Sequence, residues 1–327
     1  MKYRCGRILV WGVIAGFSGV SALHAQPSFP RKPVTIVVPY GPGGGADFFA
    51  RVIAPKMGEK LGQAVVVENK PGAGTAIAAT DVARSVPDGH RLLLGDLSTF
   101  ATNQHLYRKL SYDPIRDFTP ITLTGRTAYI LVVNPTLHPY KNVDEFVSAV
   151  RKAPADSFSY GSAGSGGPAH LTTVMLERAS GIHMVHVAYK GTGPALPDLL
   201  SGQIGAMFTV YSSVRPFLAS GKLRALGTGA PKVQHELPGV AAIGASFPGF
   251  ESWFWMGMVA PAGTPQPVVD KVRDAYAAAV NDPGVRRKLE DSGVEPLLTT
   301  GEQMAAYVRT ESARMEKIIK SANISLD

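Results

Sequence analysis

Short apolar runs alternate along this chain with segments of helical periodicity, and glycine-rich or polar turns separate them. Residues 34–38 have the pattern of a buried strand, residues 47–61 place apolar side chains at helical spacing, and residues 64–67 form the next apolar run. This order predicts a βαβ unit with parallel strands. Further strands are predicted at residues 92–94, 128–133, 158–160, 183–188, 207–210, 223–227 and 250–261.

The same pattern recurs in the second half, which predicts an α/β protein of two lobes. A chain of 327 residues with 45% hydrophobic content is long enough to bury two modest cores. We place residues 26–128 and 251–327 in the first lobe and residues 129–250 in the second. Each lobe is expected to be a mostly parallel sheet flanked by helices, with two crossover strands joining the lobes as a hinged clamp.

The first strand leads into a glycine-rich turn at residues 41–45. Backbone N–H groups at Gly43 and Gly44 have no side chain in front of them, and Asp47 is a candidate cap for the following helix. Such a turn can bind an anion, although it can also be a tight connection that binds nothing.

Comparable turns follow other predicted strands. Residues 69–74 and 95–99 end two strands of the first half, and residues 161–168 and 189–194 end two strands of the second. Because ligands of open α/β sheets bind beyond the carboxyl ends of the strands, we expect these turns to face a common cleft, with Gly43 and Gly164 among the residues exposed there.

The first 25 residues have the pattern of an export signal. Lys2, Arg4 and Arg7 precede an apolar run at residues 8–23, and Ala25 is the expected cleavage position. An uncleaved anchor is the alternative, although the run is shorter than a membrane-spanning helix needs.

Cleavage would reduce the formal charge from +8 to +5, because residues 1–25 contain three Lys or Arg and no acid. The remaining positive residues are scattered, without the basic runs and interleaved aromatics of a nucleic-acid-binding face. The charge therefore favours anionic small molecules and gives no reason to expect a nucleic-acid partner.

Two enzyme classes have partial sequence signals. Residues 41–46 satisfy the dinucleotide-binding pattern G-x-G-x-x-A, with Glu68 near the position of a ribose-binding acid. Ser165 lies in a variant of the nucleophile elbow of serine hydrolases, for which only His183, His186 and His235 follow as candidate bases. An export signal argues against a diffusible nicotinamide cofactor.

A metal site is a third alternative. His183 and His186 lie three residues apart on a predicted strand, so that their side chains would point to opposite faces. We therefore expect neither a metal nor a cofactor.

Five motifs in fixed order carry a family resemblance. They are Pro39 with Gly43, Gly44, Asp47, Ala50 and Arg51; Asn69 with residues 71–74; residues 160–162 with His170 and Leu171; residues 189–191 with Leu199 and Gly202; and residues 259–265. Together they resemble the Bug family, the periplasmic substrate-binding proteins of tripartite tricarboxylate transporters (TctC-like). The resemblance implies a non-catalytic, Venus-flytrap protein that closes on a small carboxylate and delivers it to membrane transporter subunits or a sensor. We expect a monomer.

The resemblance also implies the ligand-binding residues. In the first lobe they are Tyr40, Gly41, Pro42, Gly43, Gly44, Ala46, Asp47, Ser98 and Thr99. In the second lobe they are Ser162, Ala163, Gly164, Ser165, Gly166, His170, Tyr189, Lys190 and Gly191. The chain departs from many relatives at residues 205–209, where they have an acid or amide soon after the Phe, so the ligand could be a di- or tricarboxylate, an amino acid or an aromatic acid.

Overall fold

The computed structural model describes residues 1–3 and 29–326. The apolar run of the predicted export signal, and its cleavage position, lie outside the described residues. Each helix of the described part is too short or too polar to cross a bilayer.

Ten strands form one continuous mixed sheet in the described part of the chain, in the order β2-β1-β3-β9-β4-β7-β5-β6, with β10 and β8 pairing with β4. The strands are β1 (Val34–Val38), β2 (Val65–Asn69), β3 (Arg91–Asp96), β4 (Phe118–Val133), β5 (Ser159–Ser162), β6 (Val185–Ala188), β7 (Ala206–Val210), β8 (Arg224–Thr228), β9 (Trp253–Pro261) and β10 (Glu295–Pro296).

The helices pack on the faces of this sheet. They are α1 (Gly45–Leu61), α2 (Ala76–Ala83), α3 (Asn103–Leu106), α4 (Val143–Lys152), α5 (Pro168–Ser180), α6 (Thr192–Ser201), α7 (Tyr211–Ala219), α8 (Ile243–Ser246), α9 (Gln266–Asn281), α10 (Pro283–Glu290) and α11 (Gly301–Ala322), with a short 3₁₀ turn at Ala73–Thr75 and a π-helical turn at Ser98–Thr102.

The long strand β4 joins two segments of the sheet. As far as Ala128 it pairs with β9, whereas from Tyr129 onward it pairs with β7 and β8. We call β2-β1-β3-β9 the first sheet segment and β7-β5-β6 the second. The backbone of Ser252, just before β9, bonds to Gly229 and Tyr129, so the return of the chain also lies here. The change of partners falls at the predicted first crossing, but the division into lobes stays a prediction.

Parallel pairing was predicted for the opening βαβ unit, and β1 is parallel to both β2 and β3. Gly62 ends α1 in the left-handed region, with φ of 70°. Thr300 and Gln303 have the spacing of a capping box in the sequence, and they form that box at the start of α11. Local sequence signals thus determine where these helices begin and end.

Three local expectations were wrong. Strand β4 begins at Phe118 rather than at residue 128, because its polar threonines are buried in pairing with β9 and hid the strand pattern. Asp47 does not cap α1, whose N-cap is Gly44. Proline favours the first position of a helix, which predicts a helix start at Pro194, but Pro194 is the third residue of α6.

Candidate ligand-binding cleft

A cavity of about 310 Å³ lies where the two sheet segments meet. The predicted site residues that line it are Tyr40, Gly41, Pro42, Gly44, Ala46, Ser98, Ala163, Gly164, Ser165, Gly166, Lys190 and Gly191. The predicted site residues that do not line it are Gly43, Asp47, Thr99, Ser162, His170 and Tyr189. Turns from both halves of the sequence therefore meet at one cavity.

Three helices begin at this cavity. Their second residues, Ala46 of α1, Ala169 of α5 and Gly193 of α6, all line it. The first amides of a helix have no acceptor within the helix, and the helix dipole makes this end partly positive. Three convergent helix N-termini provide a site for negative charge.

Glycine at the start of α1 allows this helix to lie close to β7. A Cβ on Gly45, the first residue of α1, would lie 3.1 Å from Cγ2 of Val210 at the end of β7. The N-terminus of α1, which belongs to the first half of the chain, is therefore packed against the second sheet segment.

The charge on the cavity wall is positive. Lys190 is the one charged residue among the described residues that line it, and no Asp or Glu lines it there. Ser98, Asn103, Ser165 and Thr209 add neutral polar side chains. An anion in the cavity therefore meets no carboxylate on the described part of the wall itself.

In the first glycine turn the amide of Gly43 is hydrogen-bonded within the protein. It donates to Oδ2 of Asp47 at 3.0 Å, while Arg51 and Asn69 donate to the same carboxylate. Burial tends to raise the pKa of Asp47, but these hydrogen bonds outweigh it and the pKa is lowered. Gly43 and Asp47 face a separate surface groove with Arg51 and Lys56. They hold the turn in shape from behind the cavity.

A second carboxyl group lies behind the wall. Asp96 is 1% exposed, accepts a 2.5 Å hydrogen bond from the hydroxyl of Tyr40, and accepts another from the amide of Thr99. Burial raises the pKa of Asp96. Thr99 continues this network to Thr75. The network ties together the turns that follow β1, β2 and β3.

The second glycine turn is held by histidines instead. The amide of Gly166 donates to Nδ1 of His170 at 2.9 Å, and Oγ of Ser162 lies 2.6 Å from Nε2 of His186. The two imidazole rings stack with centroids 4.0 Å apart. Burial, followed by the neighbouring His186, lowers the pKa of His170 to about 4, so the ring is neutral at pH 7 and its Nδ1 can accept.

An aromatic wall completes the cavity. Tyr129 packs edge-on against Phe254, with centroids 6.2 Å apart, and Phe208 in the middle of β7 also lines the cavity. Phe254 sits between the two tryptophans of β9 and faces the opposite side from them, since strand side chains alternate. Trp255 is fully buried and Trp253 carries the guanidinium of Arg126 over its ring, so both have packing roles.

Comparison with known proteins places this geometry in a family. Residues 49–324 match the family described as the tripartite tricarboxylate transporter family receptor, TctC. The chain belongs to this receptor family. The resemblance to Bug and TctC-like proteins inferred from the five motifs is therefore confirmed.

Solved structures of similar proteins share the fold of this receptor. The periplasmic binding protein BugD is 36% identical, with a TM-score of 0.85 over 91% of this chain and 99% of its own. Rpa4515 of R. palustris, solved with adipate, is 33% identical, with a TM-score of 0.87 over 91% and 99%. MatC of Rhodopseudomonas palustris, with bound malate, is 35% identical, with a TM-score of 0.82 over 89% and 100%. The predicted α/β periplasmic-binding-protein fold is confirmed.

The residues of the two enzyme hypotheses have other contacts in this receptor. Glu68, the candidate ribose ligand, forms a two-point ion pair with Arg91. Within the described residues, Ser165 has no hydrogen bond to a histidine. Ser162 is the serine that contacts His186, but it is fully buried and does not line the cavity. This serine–histidine contact shapes the turn.

The histidines of the metal hypothesis are apart. His183 precedes β6 and lies near Asp156 and Glu177, whereas His186 is on β6 beside Ser162. Among residues 1–3 and 29–326, no three His, Cys, Asp or Glu side chains are grouped so that they could hold a metal ion.

Sequence reasoning missed several cavity residues. The first residues of α5 and α6 belong to turns already singled out, so the position of each helix N-terminus was an available signal. Tyr129, Phe208 and Phe254 carried no local signal, because buried aromatics are ordinary on strands. The missed residues are Gly45, Gly74, Asn103, Tyr129, Gly167, Pro168, Ala169, Thr192, Gly193, Pro194, Phe208, Thr209, Val210 and Phe254.

Proposed function

We propose that this receptor is exported to the periplasm, binds a small carboxylate in the cleft and delivers it to the membrane subunits of a tripartite transporter. The membership in the receptor family supports transport as the role. The amino-terminal export pattern and the periplasmic relative BugD support the location. In this proposal the protein is monomeric and has no catalytic step.

The observation that carries the proposal is the meeting of α1, α5 and α6 at one cavity with Lys190 and without an acidic wall residue. Each helix terminus contributes about 0.3–1 kcal/mol to anion binding, and up to about 2 kcal/mol when partly buried. Micromolar affinity needs about 8 kcal/mol. Charge-assisted hydrogen bonds and exclusion of water must therefore supply the remainder.

The ligand that fits best is a dicarboxylate of about the size of malate or adipate. Both are present in similar proteins of the same fold. The described wall residues offer no carboxylate to pair with an ammonium group, so we expect an amino acid to bind less tightly than the dicarboxylate of the same length.

Binding would favour closure of the two sheet segments on the ligand. A carboxylate held by α1 on one side and by α5 and α6 on the other interacts fully only when these helix ends are near each other. The ligand then stabilises the closed arrangement that a transporter or a sensor would recognise.

Isothermal titration calorimetry of the purified protein tests this function. We expect micromolar dissociation constants for malate or adipate, weaker binding of aspartate, and no binding of the uncharged control 1,4-butanediol. Equal binding of the diol, or turnover of an ester substrate that is lost in Ser165→Ala, would overturn the proposal.

A further inference from the structure

Thr209 is a buried cavity residue whose hydroxyl has no hydrogen-bond partner in the described part of the chain. The residue is 2% exposed and lines the cleft, and its Oγ1 has no hydrogen-bond partner among the described residues. Buried hydroxyls are nearly always hydrogen-bonded, and an unsatisfied one destabilises the fold. This hydroxyl therefore needs a reason to be there.

The position of Thr209 in the sheet does not explain why this residue carries a hydroxyl group. It lies on β7 opposite Ile130 of β4, between the cavity residues Phe208 and Val210. Valine has nearly the same shape and suits a strand, so packing alone does not require the hydroxyl. The unpaired hydroxyl thus lowers the stability of the fold, and a hydrogen bond from a bound ligand would offset that cost.

A second threonine with an unpartnered hydroxyl lies away from the cleft and can be compared with Thr209. Thr124 on β4 is fully buried and its Oγ1 also has no partner in the described chain, but Thr124 does not line the cleft. Both residues are strand threonines with an unpartnered hydroxyl, but only Thr209 of the two lines the cleft and can contact a ligand. Thr124 is therefore a matched control for Thr209.

We infer that the Thr209 hydroxyl is a ligand-binding group of this receptor and forms a hydrogen bond with a polar oxygen of the bound carboxylate. This inference rests on the proposed function and adds a side-chain contact to a site otherwise built largely from helix termini. A hydroxyl both donates and accepts, so it can bond to a carboxylate or to the hydroxyl of a hydroxy acid. An apolar chain placed there would leave it unsatisfied, so Thr209 selects for an oxygen at this point.

The test compares Thr209→Val, Thr209→Ser and Thr124→Val by calorimetry, with malate and adipate as the probes. We expect Thr209→Val to weaken the binding of at least one probe about tenfold, because it removes a charge-assisted hydrogen bond. Thr209→Ser should stay within about threefold of the unaltered protein, and Thr124→Val should bind as the unaltered protein does. Thermal unfolding without ligand should show Thr209→Val at least as stable as the unaltered protein.

The outcomes separate this inference from the proposed function. If the unaltered protein binds neither these probes nor any other carboxylate, the proposed function fails and the inference fails with it. If the unaltered protein binds and Thr209→Val binds equally well, the inference alone is overturned, and the hydroxyl is only hydrated. If Thr209→Ser loses as much ligand affinity as Thr209→Val does, the inference is also overturned, because the loss would then come from the missing methyl group of threonine.

Discussion

The two glycine turns, one after β1 and one after β5, share a local pattern and are held by different chemistry. In the first turn the carboxylate of Asp47 accepts a hydrogen bond from the amide of Gly43 and forms an ion pair with Arg51. In the second, neutral His170 accepts the amide of Gly166, and Ser162 contacts His186. Both turns lead into a helix whose N-terminus faces the cleft.

This difference shows that an anion site can be supported from behind by either a carboxylate or an imidazole. The carboxylate is directed at the outer groove, so its charge is compensated by Arg51 and does not face the ligand. The imidazoles are uncharged at pH 7 and need no compensation. The two supports should therefore fail under different conditions, and the following predictions separate them.

The largest effect is expected from removing the support of the first turn. Asp47→Ala leaves the donors Gly43 and Asn69 without their shared acceptor and removes the ion pair with the exposed Arg51, so we expect the unfolding free energy to fall by about 1–3 kcal/mol. Urea denaturation measures this loss. Asp274→Ala, at an exposed site on α9, should change stability by less than about 0.5 kcal/mol. Equal stability of the two variants would show that Asp47 does not hold the turn.

Valine at a glycine of each turn should separate binding from stability. Gly164 has φ of 150° and lines the cleft, whereas Gly43 has φ of 85° and lies outside it. Each substitution strains the backbone by about 1–3 kcal/mol. Gly164→Val should also weaken malate or adipate binding by about 2 kcal/mol, roughly 30-fold, because it displaces amides of the cavity wall. Calorimetry that shows the larger loss for Gly43→Val would reverse our assignment of the two turns.

Acid should disturb the second turn first. The pKa of His170 is lowered to about 4, so the folded protein resists a proton that the unfolded chain accepts near pH 6.5. The stability that this histidine contributes is fully present above pH 6.5 and is lost as the pH falls through about 4. The loss of unfolding free energy is about 1–2 kcal/mol after allowance for the partial exposure of His170. Asp47, whose pKa is lowered from 3.8, contributes above that value and loses its contribution only at still lower pH.

Denaturation measured from pH 7 to pH 4 checks this order. We expect the unfolding free energy to fall across this range, and His170→Asn, which retains an acceptor without a titrating ring, should flatten the fall. An unchanged slope in that variant would mean that other groups carry the pH dependence.

The smallest effect should come from the exposed lysine of the cleft. Lys190→Gln removes the positive side chain at the cavity but none of the helix termini, so we expect about 1 kcal/mol, or fivefold, weaker binding at low salt. The difference should shrink as salt is added. Lys222→Gln, an exposed lysine away from the cleft, should bind as the unaltered protein does at every salt concentration. A loss that is independent of salt would point to a shape effect of residue 190.

The amino-acid sequence alone determined the α/β class, the parallel opening unit and some of the helix ends. These features depend on short-range signals: apolar period, the left-handed glycine at residue 62, and the capping box of Thr300 and Gln303. It also identified the turns that supply backbone to the cleft, because glycine after a strand is visible without any knowledge of neighbours.

The tertiary structure alone decided which face of each turn meets the cleft. Gly43 and Gly164 both lie in glycine turns that follow a strand. The amide of Gly43 is nevertheless bonded to Asp47 and faces the outer groove, whereas Gly164 lines the cleft. Phe254 and Thr209 became cavity residues through the pairing of β4 with both β9 and β7, which joins strands that are far apart in the chain. Such contacts have no local signature, because the energy that selects them comes from burying surfaces that meet only after the sheet has formed.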